Sequence, residues 1–307
     1  MRGGGALVVL ALASGACRSH GSSSTSTATA TATATPCPSD LDARTADARD
    51  LYPEARTAVV DASFLFVDPD HGPLFDEATR FAPRVLRALR HDRMAPRPLC
   101  PASVYLFASH THFVAHCGKR HYVADATGPD ELGVYDPIRR EIVVDLSPGR
   151  THVFSIAHEL CHVLMDQDFA APRWFRECVC TQYEAPSLSA DDTEIHGLPN
   201  RRYDARFHDA AAAGSPDARP SALFGMSDAA FAARGDADPA RFLLHYATAR
   251  ATCEWADERG ALWPWYRAWR DDAALADGTA AFTHAAGMAP AEADAPWRAW
   301  VSLQPVR

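Results

Sequence analysis

Two histidines and a glutamate lie close together in the segment His158-Glu159-Leu160-Cys161-His162. If this segment is helical, His158 and His162 lie one turn apart on the same face, so both imidazoles can reach one metal ion. Glu159 is rotated by about 100° from His158, which places its carboxylate beside such an ion, where it can accept a proton from water. The H-E-x-x-H spacing therefore predicts a zinc site with Glu159 as the general base.

A catalytic zinc ion needs a third protein ligand and one open position. Glu177 is the candidate because fourteen residues separate it from His162, enough for the first helix to end and a second to begin. Glu177 would then face the histidines, and Glu184 would lie two turns further along the same face. We predict that His158, His162 and Glu177 bind one zinc ion per chain, and that Glu184 and Asp166 orient these ligands.

The segment from His158 to Glu184 resembles the core of the gluzincin metallopeptidases. It is most similar to peptidase-MA-like domains, in which H-E-x-x-H is followed by P-x-W-x-x-E-G-x-A-x-Y. Four residues fall on the second part of this pattern, the last of them one position out of register: Pro172, Trp174, Glu177 and Tyr183. Cys178 and Cys180 replace the small Gly and Ala of the family.

The resemblance implies a zinc-dependent peptidase with an α+β fold. In this family an N-terminal mixed sheet with helices is followed by a helical subdomain, and the active site lies between them. The sheet edge would hold a peptide or protein substrate in extended form by main-chain pairing. Tyr246 matches the later helix that supplies a donor to the oxyanion. His196, His245 and Tyr203 are alternatives for the same role.

Two other interpretations of the motif remain open. His158 and His162 could form a closed structural zinc site with Cys178 and Cys180, in a protein without activity. Against this, cysteines at i and i+2 point to different sides of a helix, and Glu177 would be unexplained. The chain could also be an inactive gluzincin fold that binds peptide or cell-wall material.

The apolar periodicity divides the chain into two parts. Residues 53–150 alternate between strand and helix patterns, which predicts one sheet with helices. The predicted elements of this part are a strand Thr57–Val67, a helix Leu74–Arg90, a strand Ala102–Ser109, a surface helix His110–His121 and a hairpin Gly133–Leu146. Residues 151–307 are predicted to be helical, with helices Thr151–Asp166, Pro172–Glu184, Asp238–Gly260, Trp263–Trp269 and Ala295–Leu303.

The N-terminal residues are typical of an exported protein. Residues 1–16 read as a signal peptide, and Cys17 stands where a bacterial lipoprotein would carry its lipid and attach to a membrane. Residues 17–52 are predicted to be a tether, since Ser22–Pro36 is of low complexity. We expect a protein of the bacterial cell envelope, either a lipoprotein or a secreted or periplasmic protein. In that compartment most of the seven remaining cysteines should pair, leaving at least one free or paired elsewhere.

The sequence argues against two other kinds of site: a nucleic-acid-binding surface and a second metal site. The net charge is −9, which argues against a nucleic-acid partner because such proteins carry basic surfaces. His112 and His116 have i, i+4 spacing, but no acidic ligand is near them in the sequence. We interpret their segment as a surface helix rather than a metal site.

Overall fold

The structure is a computed structural model that describes residues 37, 40–94, 99–120, 133–198, 201–232, 239–275 and 277–304. Residues 37–307 form one compact unit, which contains a mixed β-sheet and many helices, so the expected α+β architecture is confirmed at this level. None of the described helices is both long and apolar enough to cross a bilayer. The predicted signal peptide and Cys17 lie outside the described residues.

Five strands form the main sheet, in the order β1-β2-β3-β5-β4. The inner strands β2, β3 and β5 are parallel, whereas the edge strands β1 and β4 are antiparallel to their neighbours. The strands are β1 Arg56–Val60, β2 Phe64–Asp68, β3 Ala102–Phe107, β4 Gly133–Asp136 and β5 Glu141–Asp145. All residues of the three inner strands are buried, as expected for parallel strands that are covered on both faces.

The single strand predicted at Thr57–Val67 was wrong, because this segment forms the hairpin β1–β2. Asp61 and Ala62 reverse the chain with positive φ angles of 50° and 53°. The turn contains no glycine, the residue that usually indicates such a turn in a sequence. The hairpin predicted over Gly133–Leu146 is confirmed as β4 and β5.

Helices cover both faces of the sheet. On one face lie α1 Leu41–Leu51 and α3 His110–Arg120, and on the other lies α2 Phe75–Asp92, with Pro83 inside it. Helix α1 falls within the predicted tether, so the tether prediction was wrong over these residues. Asp40 caps this helix by accepting a hydrogen bond from the N–H of Ala43, and Ala48 is buried against the sheet.

The remaining elements are mainly helical, and they pack on the side of the sheet that α2 covers. A 3₁₀ turn Arg150–Phe154 leads into α4 Ser155–Asp168, and α5 Arg173–Cys180 follows and ends in a second 3₁₀ turn Thr181–Tyr183. The later elements are β6 Pro186–Leu188, β7 Ile195–Gly197, α6 Arg201–Ala212, α7 Pro220–Phe224, α8 Asp228–Ala232, α9 Pro239–Glu258, α10 Leu262–Asp271, α11 Gly278–Ala286 and α12 Pro290–Leu303. The strand pair β6–β7 was not predicted.

Three disulfides join the described cysteines, and two of them link neighbouring helices. Cys161–Cys180 joins α4 to α5, and Cys178–Cys253 joins α5 to α9. The third, Cys37–Cys100, ties the start of the described chain to the segment before β3. Cys117 is buried and is not in a disulfide. The expectation that most cysteines pair and at least one does not is met within the described part of the chain.

Candidate metal centre

Helix α4 brings the two motif histidines together. The Nε2 atoms of His158 and His162 are 2.9 Å apart, as the i, i+4 spacing predicts. Ten of the fourteen residues of α4 are buried, so the helix is held on most sides by apolar packing. The two imidazoles are therefore fixed by the core and not by contacts with solvent.

Glu177 reaches the same point from α5. Its Oε2 atom lies 3.6 Å from Nε2 of His158 and 3.4 Å from Nε2 of His162. Atoms bound tetrahedrally to one zinc ion at about 2.0–2.1 Å are about 3.3–3.4 Å apart, so the two separations from Glu177 suit a shared ion. The two histidine Nε2 atoms, at 2.9 Å, are closer than this, so the imidazoles must move slightly apart to bind the ion. The Oε2 atom is also buried without a hydrogen-bond partner, which is costly for a carboxylate unless a cation binds it. The three side chains therefore fit a zinc ion.

The ionisation of these groups favours metal binding. Burial and the neighbouring His162 lower the pKa of His158 to about 3, so its imidazole is neutral at pH 7. Burial alone would raise the pKa of Glu177, but His162, His158 and Arg173 outweigh it and lower the pKa to about 2. A neutral imidazole and an ionised carboxylate are the forms that bind metals.

Glu159 borders the same point. Its ligand atom and those of His158 and His162 all lie within 4.8 Å of one another, and its side chain is buried. Two carboxylates thus approach the histidines, and Oε2 of Glu177 lies at separations of 3.4 and 3.6 Å from them that suit a common ion. Gly133, the first residue of β4, makes room for Glu159, because a Cβ atom there would lie 2.7 Å from Oε1 of Glu159.

Tyr246 and Arg173 lie on the other side of Glu177. The hydroxyl of Tyr246, from α9, donates a hydrogen bond of 3.2 Å to Oε1 of Glu177. Arg173, from the first turn of α5, donates through Nη2 to the Tyr246 hydroxyl at 3.0 Å, and its Nε is 3.7 Å from Oε1 of Glu177. The ring of Tyr246 packs against Phe231 and Phe242, with centroids 4.9 and 4.6 Å away. These contacts connect Tyr246 to the predicted metal ligand.

The other residues predicted near the site have mixed outcomes. Oε1 of Glu184 is 3.8 Å from Nδ1 of His158, which is close to the ring but longer than a hydrogen bond. Asp166 instead accepts a hydrogen bond from the Tyr135 hydroxyl at 3.2 Å.

The alternatives to Tyr246 have other surroundings. His196 is exposed and lies 3.0 Å from Glu194. His245 is buried, with Nδ1 3.3 Å from the carbonyl oxygen of Phe231. The side chain of Tyr203 lies outside the described part of the structure.

The segment with His112 and His116 is a helix, as expected, but it is only partly a surface helix. His112 is exposed and lies 2.5 Å from Asp70. His116 is buried against aromatic rings, and its Nδ1 is 2.8 Å from the Tyr52 hydroxyl. Residues 17–52 were expected to be a tether, so helix α1, which covers this face of the sheet, was not expected.

The cysteines do not complete a closed zinc site. Cys178 and Cys180 are paired with Cys253 and Cys161, so neither sulfur is a thiolate that could bind zinc. This pairing opposes the structural-site interpretation and is consistent with Glu177 as the ligand.

Sequence reasoning missed Arg173 and Gly133. Arg173 stands four residues before Glu177, and this i, i+4 spacing on a helix was a signal that could have found it. Gly133 could not have been found in the same way, because its role depends on how closely β4 approaches α4.

Comparison with known proteins adds no relative: no protein-family model matches the chain, and no curated protein is significantly similar to it.

Proposed function

We propose that this protein is a zinc-dependent peptidase of the gluzincin type. The observation that supports this most strongly is the position of Glu177, whose buried Oε2 has no hydrogen-bond partner and lies 3.4 and 3.6 Å from the Nε2 atoms of the two histidines. His158, His162 and Glu177 would hold the zinc ion. When bound, zinc acts as a Lewis acid that lowers the pKa of a coordinated water to around 7 and polarises a carbonyl group.

Three other side chains are proposed to transfer the proton, orient a ligand and stabilise the oxyanion. Glu159 accepts a proton from the attacking water at its carboxylate and returns it to the leaving amine. Glu184, whose Oε1 is 3.8 Å from Nδ1 of His158, would orient this ring by moving into hydrogen-bond distance of Nδ1. Tyr246 is proposed to donate to the oxyanion that develops on the substrate, for which its single O–H must turn away from Oε1 of Glu177, the acceptor that it has in this structure.

The substrate is proposed to be a peptide or an extended protein segment that lies along β4. Among the described strands β4 is at the end of the sheet and pairs only with β5, so its outer edge is proposed to form main-chain hydrogen bonds with a peptide. The strand also packs against α4, and Gly133 lies next to Glu159. A chain added to this edge would run close to the general base.

We propose that the protein is exported to the bacterial cell envelope, with Cys17 as the point of lipid attachment. The disulfides among the described residues lend modest support to an oxidising compartment. No nucleic-acid partner is proposed, because the net charge is −9.

The variant Glu159→Gln tests this function. Glutamine keeps the size of Glu159 but cannot accept the proton, so we expect unchanged zinc content and thermal stability with a loss of peptide hydrolysis on the order of 10²–10⁴-fold. Zinc content is measured by elemental analysis and hydrolysis with a peptide library. As controls, His158→Ala and Glu177→Ala should lose most of the zinc.

Three outcomes would contradict the proposal. Equal hydrolysis by wild type and Glu159→Gln would mean that the motif is not catalytic. No hydrolysis by a zinc-loaded wild type would favour the inactive fold. Retained zinc in Glu177→Ala would mean that another residue is the third ligand.

A further inference from the structure

The described residues form a cavity that is separate from the candidate metal centre. Its volume is about 340 Å³, and its walls come from α6, β7, α9, the start of α10 and the end of α12. Neither the three proposed zinc ligands nor Glu159 lines it. Small-molecule sites begin at about 300 Å³, so this cavity has room for one small ligand.

The two guanidinium groups in the wall already have acceptors. Arg250 is buried, donates to two main-chain carbonyl oxygens and pairs with Glu254 at 2.8 Å. Arg93 donates to the Tyr183 hydroxyl at 2.8 Å and lies over the ring of Trp263, 5.0 Å from its centroid. Both cations are therefore part of the wall itself, which argues against an anionic ligand.

The carboxylates in the wall do not make the cavity strongly negative. Three of them lie on one face of α9, at the i, i+3 and i+4 positions Glu254, Asp257 and Glu258. Glu254 is paired with Arg250, and Glu258 accepts a hydrogen bond of 2.6 Å from Nε1 of Trp300. Three carboxylates and two guanidinium groups nearly balance, so the charge of the cavity favours a neutral ligand over a cation.

The other groups of the wall suit a ligand that has hydroxyl groups and an apolar ring face. The carboxylate of Asp257 is exposed and forms no hydrogen bond or ion pair with the described residues, so it can accept from two hydroxyl groups. The partly buried indole of Trp300 lines the same cavity. The negative face of an aromatic ring attracts the weakly positive C–H groups of a sugar ring. His196 and His208 add ring nitrogens that can donate or accept.

We propose that this cavity binds a neutral sugar, with its ring on Trp300 and its hydroxyl groups at Asp257. The volume suits about one or two sugar residues. The inference goes beyond the proposed peptidase function and does not depend on it, because the cavity contains none of the zinc ligands. The sugar is either a free saccharide or the end of a glycan chain. A glycan would hold the protein at the surface that carries it.

Binding to the zinc-loaded wild-type protein tests this by calorimetry and saturation-transfer NMR. The probes are the neutral disaccharides N,N′-diacetylchitobiose, cellobiose and maltose, with Nα-acetyl-lysine amide as a small cation for comparison. We expect at least one disaccharide to bind, with an affinity that changes less than about 2-fold between about 50 and 500 mM salt, because a neutral ligand has no charge to screen. Co-sedimentation with insoluble chitin, cellulose and starch shows whether a glycan chain end is also bound.

Two variants locate the site. Trp300→Ala removes the aromatic face and should weaken binding at least about 10-fold, and Asp257→Asn should weaken it about 3- to 10-fold because one acceptor oxygen becomes a donor. Trp300→Phe keeps an aromatic face and should restore most of the affinity, which a general loss of folding would not allow. Asp209→Asn is the matched control, because Asp209 is an exposed carboxylate on α6 that does not line the cavity.

Three results would overturn the inference. The absence of binding by every disaccharide would mean that the cavity is not a sugar site. Preferred binding of Nα-acetyl-lysine amide, lost at high salt, would mean that it selects a cation. Unchanged sugar affinity in both Trp300→Ala and Asp257→Asn would place the sugar elsewhere. All three are read from binding, so they are distinct from a failure of the peptidase proposal, which would appear as absent hydrolysis by the wild-type protein.

Discussion

Among single residues, Gly133 has the most specific effect on the proposed site, because it leaves space for the side chain of Glu159. It begins β4, the strand proposed to hold the substrate, and the space next to its Cα is filled by the carboxylate of Glu159. Any side chain at this position must displace Glu159 or move the strand. The proposed general base and the strand proposed to hold the substrate therefore contact each other at this point.

We expect Gly133→Ala to reduce kcat by at least about 10-fold, because misplacing a catalytic group by about 1 Å is enough to cost 10²-fold. Zinc content should be unchanged, since Glu159 is not a proposed ligand. Gly118→Ala is the control, because a Cβ atom at Gly118 has no neighbour within 4 Å. An unchanged kcat in Gly133→Ala would mean that Glu159 tolerates the shift and is not held by β4.

The sequence predicts some residues of the site better than others. His158, His162 and Glu177 could be predicted because each lies on α4 or α5, where helix periodicity fixes the direction of the side chain. The contact of Tyr246 with Glu177 spans 69 positions, and no local pattern predicts it. Tyr246 was identified only through the family resemblance, which did not indicate its contact with Arg173.

At the scale of elements, the site depends on α4, α5 and α9, which carry the histidines, Glu177 and Tyr246. Two disulfides join these helices in series, Cys161–Cys180 and Cys178–Cys253. Each covalent link lies within three residues of a proposed ligand: Cys161 precedes His162, and Cys178 follows Glu177. The arrangement of the three helices is therefore constrained next to the groups that must converge.

Removing the link between α5 and α9 should destabilise the protein. The double variant Cys178→Ser with Cys253→Ser opens a loop with a sequence separation of 75, and the chain-entropy relation gives a loss of about 4.5 kcal/mol in the free energy of unfolding. The corresponding loss for Cys161→Ser with Cys180→Ser, with a separation of 19, is about 3 kcal/mol. Urea unfolding with a chelator present measures both without a contribution from zinc.

A smaller loss for the longer loop than for the shorter one would contradict the entropic argument. It would mean that structure remaining in the unfolded chain, or native packing around the sulfurs, determines the effect.

Other elements show where sequence patterns were insufficient. Helix α2 was predicted because its apolar residues recur at helical spacing. Helix α9 was predicted because a long helical segment ends at Gly260. Helix α1 was missed because its sequence is mostly polar and it is held by an N-cap and a few buried residues. The β1–β2 turn was missed because two ordinary residues adopt positive φ angles there.

At the scale of the whole molecule, the alternation of strands and helices predicts a mixed sheet followed by helices, and this much of the fold is confirmed. The order of the strands could not be predicted from the sequence. In the structure β3 lies between β2 and β5, and β4 lies at the edge of the sheet. That order depends on which strands bury their apolar faces together. It also decides which strand is available to a substrate.

The position of Cys161 within the motif also affects the order in which the molecule is assembled. Before oxidation, Cys161, Cys178 and Cys180 are thiols on the helices that carry the histidines, and zinc binds thiolates as well as imidazoles. A reduced chain that meets zinc should therefore trap some of the ion on sulfur, which blocks the native disulfides.

We expect refolding with oxidation first and zinc second to recover more hydrolytic activity than the reverse order, with fewer free thiols by titration. Equal recovery in both orders would mean that the histidines and Glu177 outcompete the thiols from the start. If the expected order holds, metal loading of this protein is a late event that follows the formation of its disulfides. Zinc supplied to the unfolded, reduced chain would then act as an inhibitor of its maturation.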